Sequence, residues 1–141
     1  MNLRRRRSET GSVSTEFAAV MAAVLLGFFA LAVYGGRVVQ AENDVRSAAH
    51  EAARAASLER SPEAADAAAR SVAAANLERS GVSCGDAPSV SVDLNNFRPG
   101  GAVTVTVACT ASFSDVGSLG VAGSDTFTAS ATEVIDRYRS D

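Results

Sequence analysis

Apolar and polar positions change rhythm twice along this chain. Phe17 to Gly36, "FAAVMAAVLLGFFALAVYGG", is twenty residues without a charge or a proline. As a helix it would reach about 30 Å, the thickness of a bilayer core. Beyond Arg37 the small apolar residues Val38, Ala41, Val45, Ala48, Ala52 and Ala55 recur at steps of three and four. That spacing marks one face of a helix. Glu42, Asp44, Arg46, Glu51 and Arg54 fill much of the rest. The pattern predicts one long helix from about Ser14 to Leu58, with Gly35-Gly36 as the place where it would bend. Ser61-Pro62-Glu63 then offers an N-cap, a first-turn proline and an acid at the positive end of the dipole. A second, Ala-rich helix, "PEAADAAARSVAAANLER", is expected to end near Arg79, with Gly81 available past its C-terminus. The short link folds it back against the first helix.

After Gly81 the period falls to two. In "AVTVTVACTASF" Val103, Val105, Val107, Cys109, Ala111 and Phe113 share one face, and Thr104, Thr106, Thr110 and Ser112 the other. "SVSVDL" alternates through Val90, Val92 and Leu94, "NNFRPGG" supplies the turn between the two, and Thr126 to Ile135 is a third strand. A Gly-rich stretch with Val116, Leu119 and Val121 links the last two. The expected fold is α+β: a transmembrane half-helix continued by an amphipathic half, a second helix, and a small antiparallel sheet of about three strands. The domain plan is residues 1–11 as a basic tip, 12–36 across the membrane, 37–80 as a helical stalk and 81–141 as a β-rich head.

Charge orients this plan. Residues 1–11 carry four Arg against Glu9, while residues 12–141 carry nine Arg against fifteen acids, so a basic tip precedes an acidic remainder. A basic flank ahead of an apolar run reads as its cytoplasmic side, with the bulk of the chain outside. The acidic remainder argues against nucleic-acid binding. All thirteen cations are Arg, as expected of a genome rich in G and C. A second reading of the run stays open: a secretory signal peptide cut after Ala41, before Glu42, releasing a small secreted domain. The run is longer than the usual signal core of roughly 7–15 residues, and Glu16 abuts it.

A head of about 60 residues is short of core and benefits from a staple. Cys84 and Cys109 are the two cysteines, and outside the cytoplasm such a pair forms a disulfide. Closing that loop would stabilise the head by about 3.5 kcal/mol in the chain-entropy model. The two thiols with His50 offer too few ligands for a metal, and no cofactor is expected. His50 reads as a solvated helix residue. No nucleophile motif surrounds it, and "GSLGVAG" lacks the lysine of a phosphate loop. The chain is therefore not expected to be an enzyme or to take a small-molecule substrate.

The informative stretch is "GSVSTEF", Gly11 to Phe17, where a carboxylate stands at the doorstep of the apolar run. A glycine, five residues ending in Glu16, and then an apolar helix resemble the type IV prepilin processing pattern. With the Gly36-Arg37 junction and the segment "AAHEAARAAS", residues Gly11 to Ser57 resemble TadE-like proteins of tight-adherence (Flp-type) pili, of actinobacterial character. The resemblance implies a minor pilin or pseudopilin, a single-pass subunit of the cell membrane that helps to assemble an adhesive pilus. It implies that residues 1–11 are a leader removed by a prepilin peptidase between Gly11 and Ser12. Glu16 and Phe17 would then serve subunit assembly. Major Flp pilins carry Tyr where Phe17 stands, which favours a minor subunit, and the proline common in TadE-like helices is missing. Ala19, Ala23 and Gly27 form a small-xxx-small ridge suited to close helix packing. The implied partners are the peptidase, other pilus subunits, the membrane assembly platform and lipid. A membrane-anchored adaptor of another kind is the remaining alternative.

Overall fold

The computed structural model describes residues 12–82, 84–112 and 123–138. Two helices and three strands follow in the order α1 (Ser12–Leu58), α2 (Pro62–Ser80), β1 (Ser89–Asp93), β2 (Ala102–Ser112) and β3 (Ser124–Val134). The fold is α+β, as the change of period from helical to two predicts.

α1 runs unbroken through Gly35 and Gly36, about 70 Å from end to end. Its 47 residues end at Leu58, and α2 starts four residues later. Ser61 caps that start: its backbone is extended and its hydroxyl accepts from the Ala64 N–H at 3.2 Å. At the other end Gly81 takes a left-handed conformation, φ 77°, and its N–H donates to the Glu78 carbonyl. A side chain there would strain the backbone.

The three strands form an antiparallel meander in the order β1-β2-β3. The turn between β1 and β2 depends on Gly101, where a Cβ would collide with the Asn96 carbonyl oxygen. The inward face of β2, Val103, Val105, Val107 and Cys109, is at most 1% exposed. It packs with Val90, Ala131 and the Ala-rich faces of both helices in one core. α1 lies against β2 and β3, and α2 against α1 and β1.

The helix–helix seam is nearly all alanine. Ala65, Ala69, Ala73 and Leu77 of α2 are buried at four-residue intervals. They join a core with Val45, Ala49, Ala52, Ala53 and Ala56 of α1. Small side chains let two helix axes and a sheet approach closely, at the expense of apolar area per residue.

The outward face of the sheet is a grid of hydroxyls. Thr104 pairs with Thr132 at 2.8 Å, Thr106 with Ser130 at 2.7 Å, and Thr110 with Thr126 at 2.9 Å. Directly opposed hydroxyl pairs of this kind support strand pairing. The Gly-rich stretch with Val116, Leu119 and Val121, and Phe113 beside it, lie outside the described residues.

Cys84 and Cys109 are joined by a disulfide, with Cα atoms 5.4 Å apart. Cys84 also bridges to Ala111, and the Gly85 N–H donates to the Thr110 carbonyl at 2.8 Å. The chain leaving α2 is thus fastened to the end of β2 twice, once by sulfur and once by backbone.

Candidate functional site

α1 is already helical at Ser12, a full turn before Glu16. No acid occupies its first turn. Stabilisation of a carboxylate by the helix dipole fades within that turn, so the dipole does little to account for Glu16. Among the described residues no cation forms an ion pair with Glu16, which is exposed.

Above Glu16 the helix is bare. Phe17, Val20, Leu25, Leu26, Phe28, Phe29 and Leu31 are each more than 60% exposed. Ala19, Ala23 and Gly27 are exposed as well, on one line along the helix. A Cβ at Gly27 would meet nothing within 4 Å. The ridge is therefore open to a neighbouring helix. α1 is long and apolar enough to cross a membrane, with its most apolar window wholly unburied. Gly11 and the leader lie outside the described residues, as does the side chain of Ser12.

The bare stretch ends where the sheet begins to cover it. Val33, Tyr34 and Val38 are partly buried, and together with Val82 and Phe127 they pack against the buried pair Ala41 and Ala111. The end of the β2–β3 pair thus rests directly on the helix just above its lipophilic part. That contact was not legible in the sequence, because Val33 and Tyr34 read as part of the apolar run.

Two polar groups also escaped the sequence reading. Asp44 Oδ2 is buried with no hydrogen-bond partner among the described residues. Arg70 forms a two-pronged pair with Asp66, at 2.8 and 3.0 Å, and its third contact reaches the Val90 carbonyl at 2.7 Å. The four-residue spacing of Asp66 and Arg70 signals the pair, whereas the reach to β1 depends on the tertiary fold. The Arg70 guanidinium holds the Asp66 carboxyl below its usual range by hydrogen bonding and charge.

The segment that carries Glu16, the ridge and the packed start of the upper helix is the part with known relatives. Residues 11–54 match the family described as TadE-like protein. The match covers less than a third of the chain and stops inside α1. Over that segment the chain is similar to TadE-like proteins, which is consistent with a TadE-like pilin. No curated protein and no solved structure matches the chain. α2 and the sheet thus stand outside the TadE-like segment.

Proposed function

We propose that this chain is a minor pilin or pseudopilin, a structural subunit and not an enzyme. In this reading it is anchored by α1 with its N-terminus on the cytoplasmic side and its head outside. A prepilin peptidase cuts between Gly11 and Ser12. The new Ser12 amine of one subunit then neutralises Glu16 of its neighbour as the helices pack along Ala19, Ala23 and Gly27, with Phe17 beside the contact. Partners are other pilus subunits and the membrane platform.

The observation that carries this reading is the seat of the sheet on Val33, Tyr34, Val38 and Ala41. Cleavage after Ala41 would cut α1 in mid-helix and strip these residues from Ala111 and Phe127. A secreted domain beginning at Glu42 would expose part of its own core. A subunit that keeps α1 whole does not. The lone intramembrane acid adds support, since such groups are costly unless they are paired.

The N-terminus of the mature protein tests the reading. Ser12 is expected, and Gly11→Val should leave the uncut precursor. Recovery of a Glu42 terminus in unchanged amount in that variant would refute it. Glu16→Gln should insert and be cut as usual yet fail to co-isolate with other pilins. The expected loss is about 3–5 kcal/mol where the contact is desolvated, and less where water reaches it.

A further inference from the structure

The sheet has two edges, and the chain treats them differently. The Ile135 N–H donates to the Gly101 carbonyl at 2.9 Å. Carried along the register, odd-numbered residues of β3 exchange their backbone hydrogen bonds with β2. Even-numbered residues therefore point their N–H and C=O groups away from the sheet. The hydroxyl pairs fit this parity, since opposed side chains come closest at positions that share no backbone bond. The Thr126 N–H is taken by the Asp125 carboxylate at 2.8 Å. Thr128, Ser130, Thr132 and Val134 follow, all exposed, in a register without a bulge and with no proline or lysine.

At the opposite edge the same parity turns the backbone N–H and C=O groups of Val90 and Val92 away from the sheet, while the Val90 side chain stays in the core. There the strand is only five residues long, and the Arg70 guanidinium occupies the Val90 carbonyl. Short strands and charged side chains are the usual guards against unwanted pairing. β1 has both guards, whereas β3 runs for 11 residues and carries charge only at Asp125 and Glu133, near its two ends.

We propose that the β3 edge is a docking strip for an extended strand of a second, different subunit held in the same membrane. This rests on the reading of α1 as a membrane anchor. β3 begins beside the membrane end of the head, where Phe127, like Val33 and Tyr34, packs against Ala41 and Ala111. Its later residue Ala131 joins the core with Val45 to Ala56, so β3 runs outward in the direction of α1. An antiparallel pair of β3 strands from two copies would send their anchors in opposite directions, which one bilayer forbids. A two-fold axis along the strands would set each residue level with its own copy, whereas a parallel ladder needs the bonding sets offset by one. Pairing of β3 with β1 of the next copy meets Arg70. The occupant is therefore another chain. Its chemistry follows from charge: the strip from Thr126 to Thr132 is neutral and is bounded by Asp125 and Glu133. A neutral strand with a cation near each end fits it, by main-chain bonding along an open edge.

The test uses the full chain in lipid nanodiscs, with insertion measured on the same sample. The probe is a synthetic strand of alternating Thr and Val with Arg at each end. Amide exchange at Thr128, Ser130 and Thr132 should slow by about tenfold or more on adding it, and by less with Glu at the ends. Thr128→Pro should abolish the effect. Its N–H points outward and its opposite residue is Ala108, so no bond within the sheet is lost. Thr128→Val, which keeps the N–H, should retain the effect. Unchanged exchange in inserted wild-type protein would overturn the docking strip alone. Failure to insert would overturn the anchor reading and the strip with it. Slowed exchange in concentrated protein without the probe would assign the edge to a second copy and overturn the proposal.

Discussion

Between Phe17 and Leu31 the large side chains of α1 are 41–70% exposed, whereas Ala41, Val45, Ala48, Ala49, Ala52, Ala53 and Ala56 are at most 4% exposed. One continuous helix thus wears its bulk outside in the lower half and buries only small residues in the upper half. In water the reverse arrangement is favoured, because large apolar side chains gain most from burial. The lower half makes sense in hydrocarbon, where Phe and Leu are at home and a ridge of Ala and Gly marks the line of closest approach. The upper half makes sense as the spine of a small head, where alanine lets α2 and the sheet come near. The same residue type, small and apolar, serves an open face below and a filled one above.

The sharpest way to break this comparison is to remove what compensates for the thin alanine core. Replacing Cys84 and Cys109 with Ser should destabilise the head by about 2–5 kcal/mol. Insertion of the lower half should be unchanged. The check is a thermal melt of the full chain beside a membrane-extraction assay, and loss of insertion would show that the two halves are not independent.

The same substitution in the two halves should then give opposite results. Ala52→Leu forces a larger side chain into a site with no exposed surface and should cost about 1–3 kcal/mol. Ala23→Leu, on the bare ridge, should leave the melt of the head unmoved. In the pilin reading it should instead weaken co-isolation of other subunits, because the close approach is lost. A melt lowered equally by both would mean that the lower helix is buried in the protein itself.

Much of this division was legible in the sequence, and the reasons differ by element. The twenty-residue uncharged run, the Ser61-Pro62 start and the alternation of Val with Thr each report a local period, and each became the expected element. The stripe from Val38 to Ala55 was half the story. Ala49, Ala53 and Ala56 are also buried, since α1 faces α2 and the sheet at once, and a single stripe describes a helix with one neighbour. The packing of Tyr34 and Phe127 against Ala41 and Ala111 was hidden because apolar residues for lipid and apolar residues for a protein contact look alike. Of the candidate site, the disulfide and the open ridge have their geometry here, while Gly11 lies outside the described residues.

The junction between the halves offers a smaller, stabilising test. Gly35 and Gly36 sit within an unbroken helix, and a Cβ at either would meet nothing within 4 Å. Alanine at each should stabilise α1 by about 0.4–1 kcal/mol, chiefly by restricting the unfolded chain. A raised melting temperature for Gly36→Ala would show that the spine needs no hinge there. A fall in pilus assembly with a raised melting temperature would show that assembly needs a break or bend where this helix is uninterrupted.

The smallest expected effect lies at the top of the comparison, where charge fastens α2 to the sheet. Arg70 is pinned between the Asp66 carboxylate and the Val90 carbonyl, so neutralising Asp66 loosens the grip on β1. Because the guanidinium holds the folded carboxyl below its ordinary value, the folded state binds that proton less readily than the unfolded chain does. The pair's contribution is then fully present above the ordinary carboxylate range, near pH 4, and is lost as pH falls through the lowered folded value. Asp66→Asn never has this contribution. The difference in stability between wild type and Asp66→Asn should be constant at neutral pH and shrink toward zero in acid, and comparing the two cancels the titration of every other carboxylate. Added salt should narrow the gap too, since both partners are largely exposed. A gap that persists unchanged to pH 2 would mean that the Asp66 amide variant disturbs packing of α2, and that the Arg70 contact to Val90 does not depend on its carboxylate.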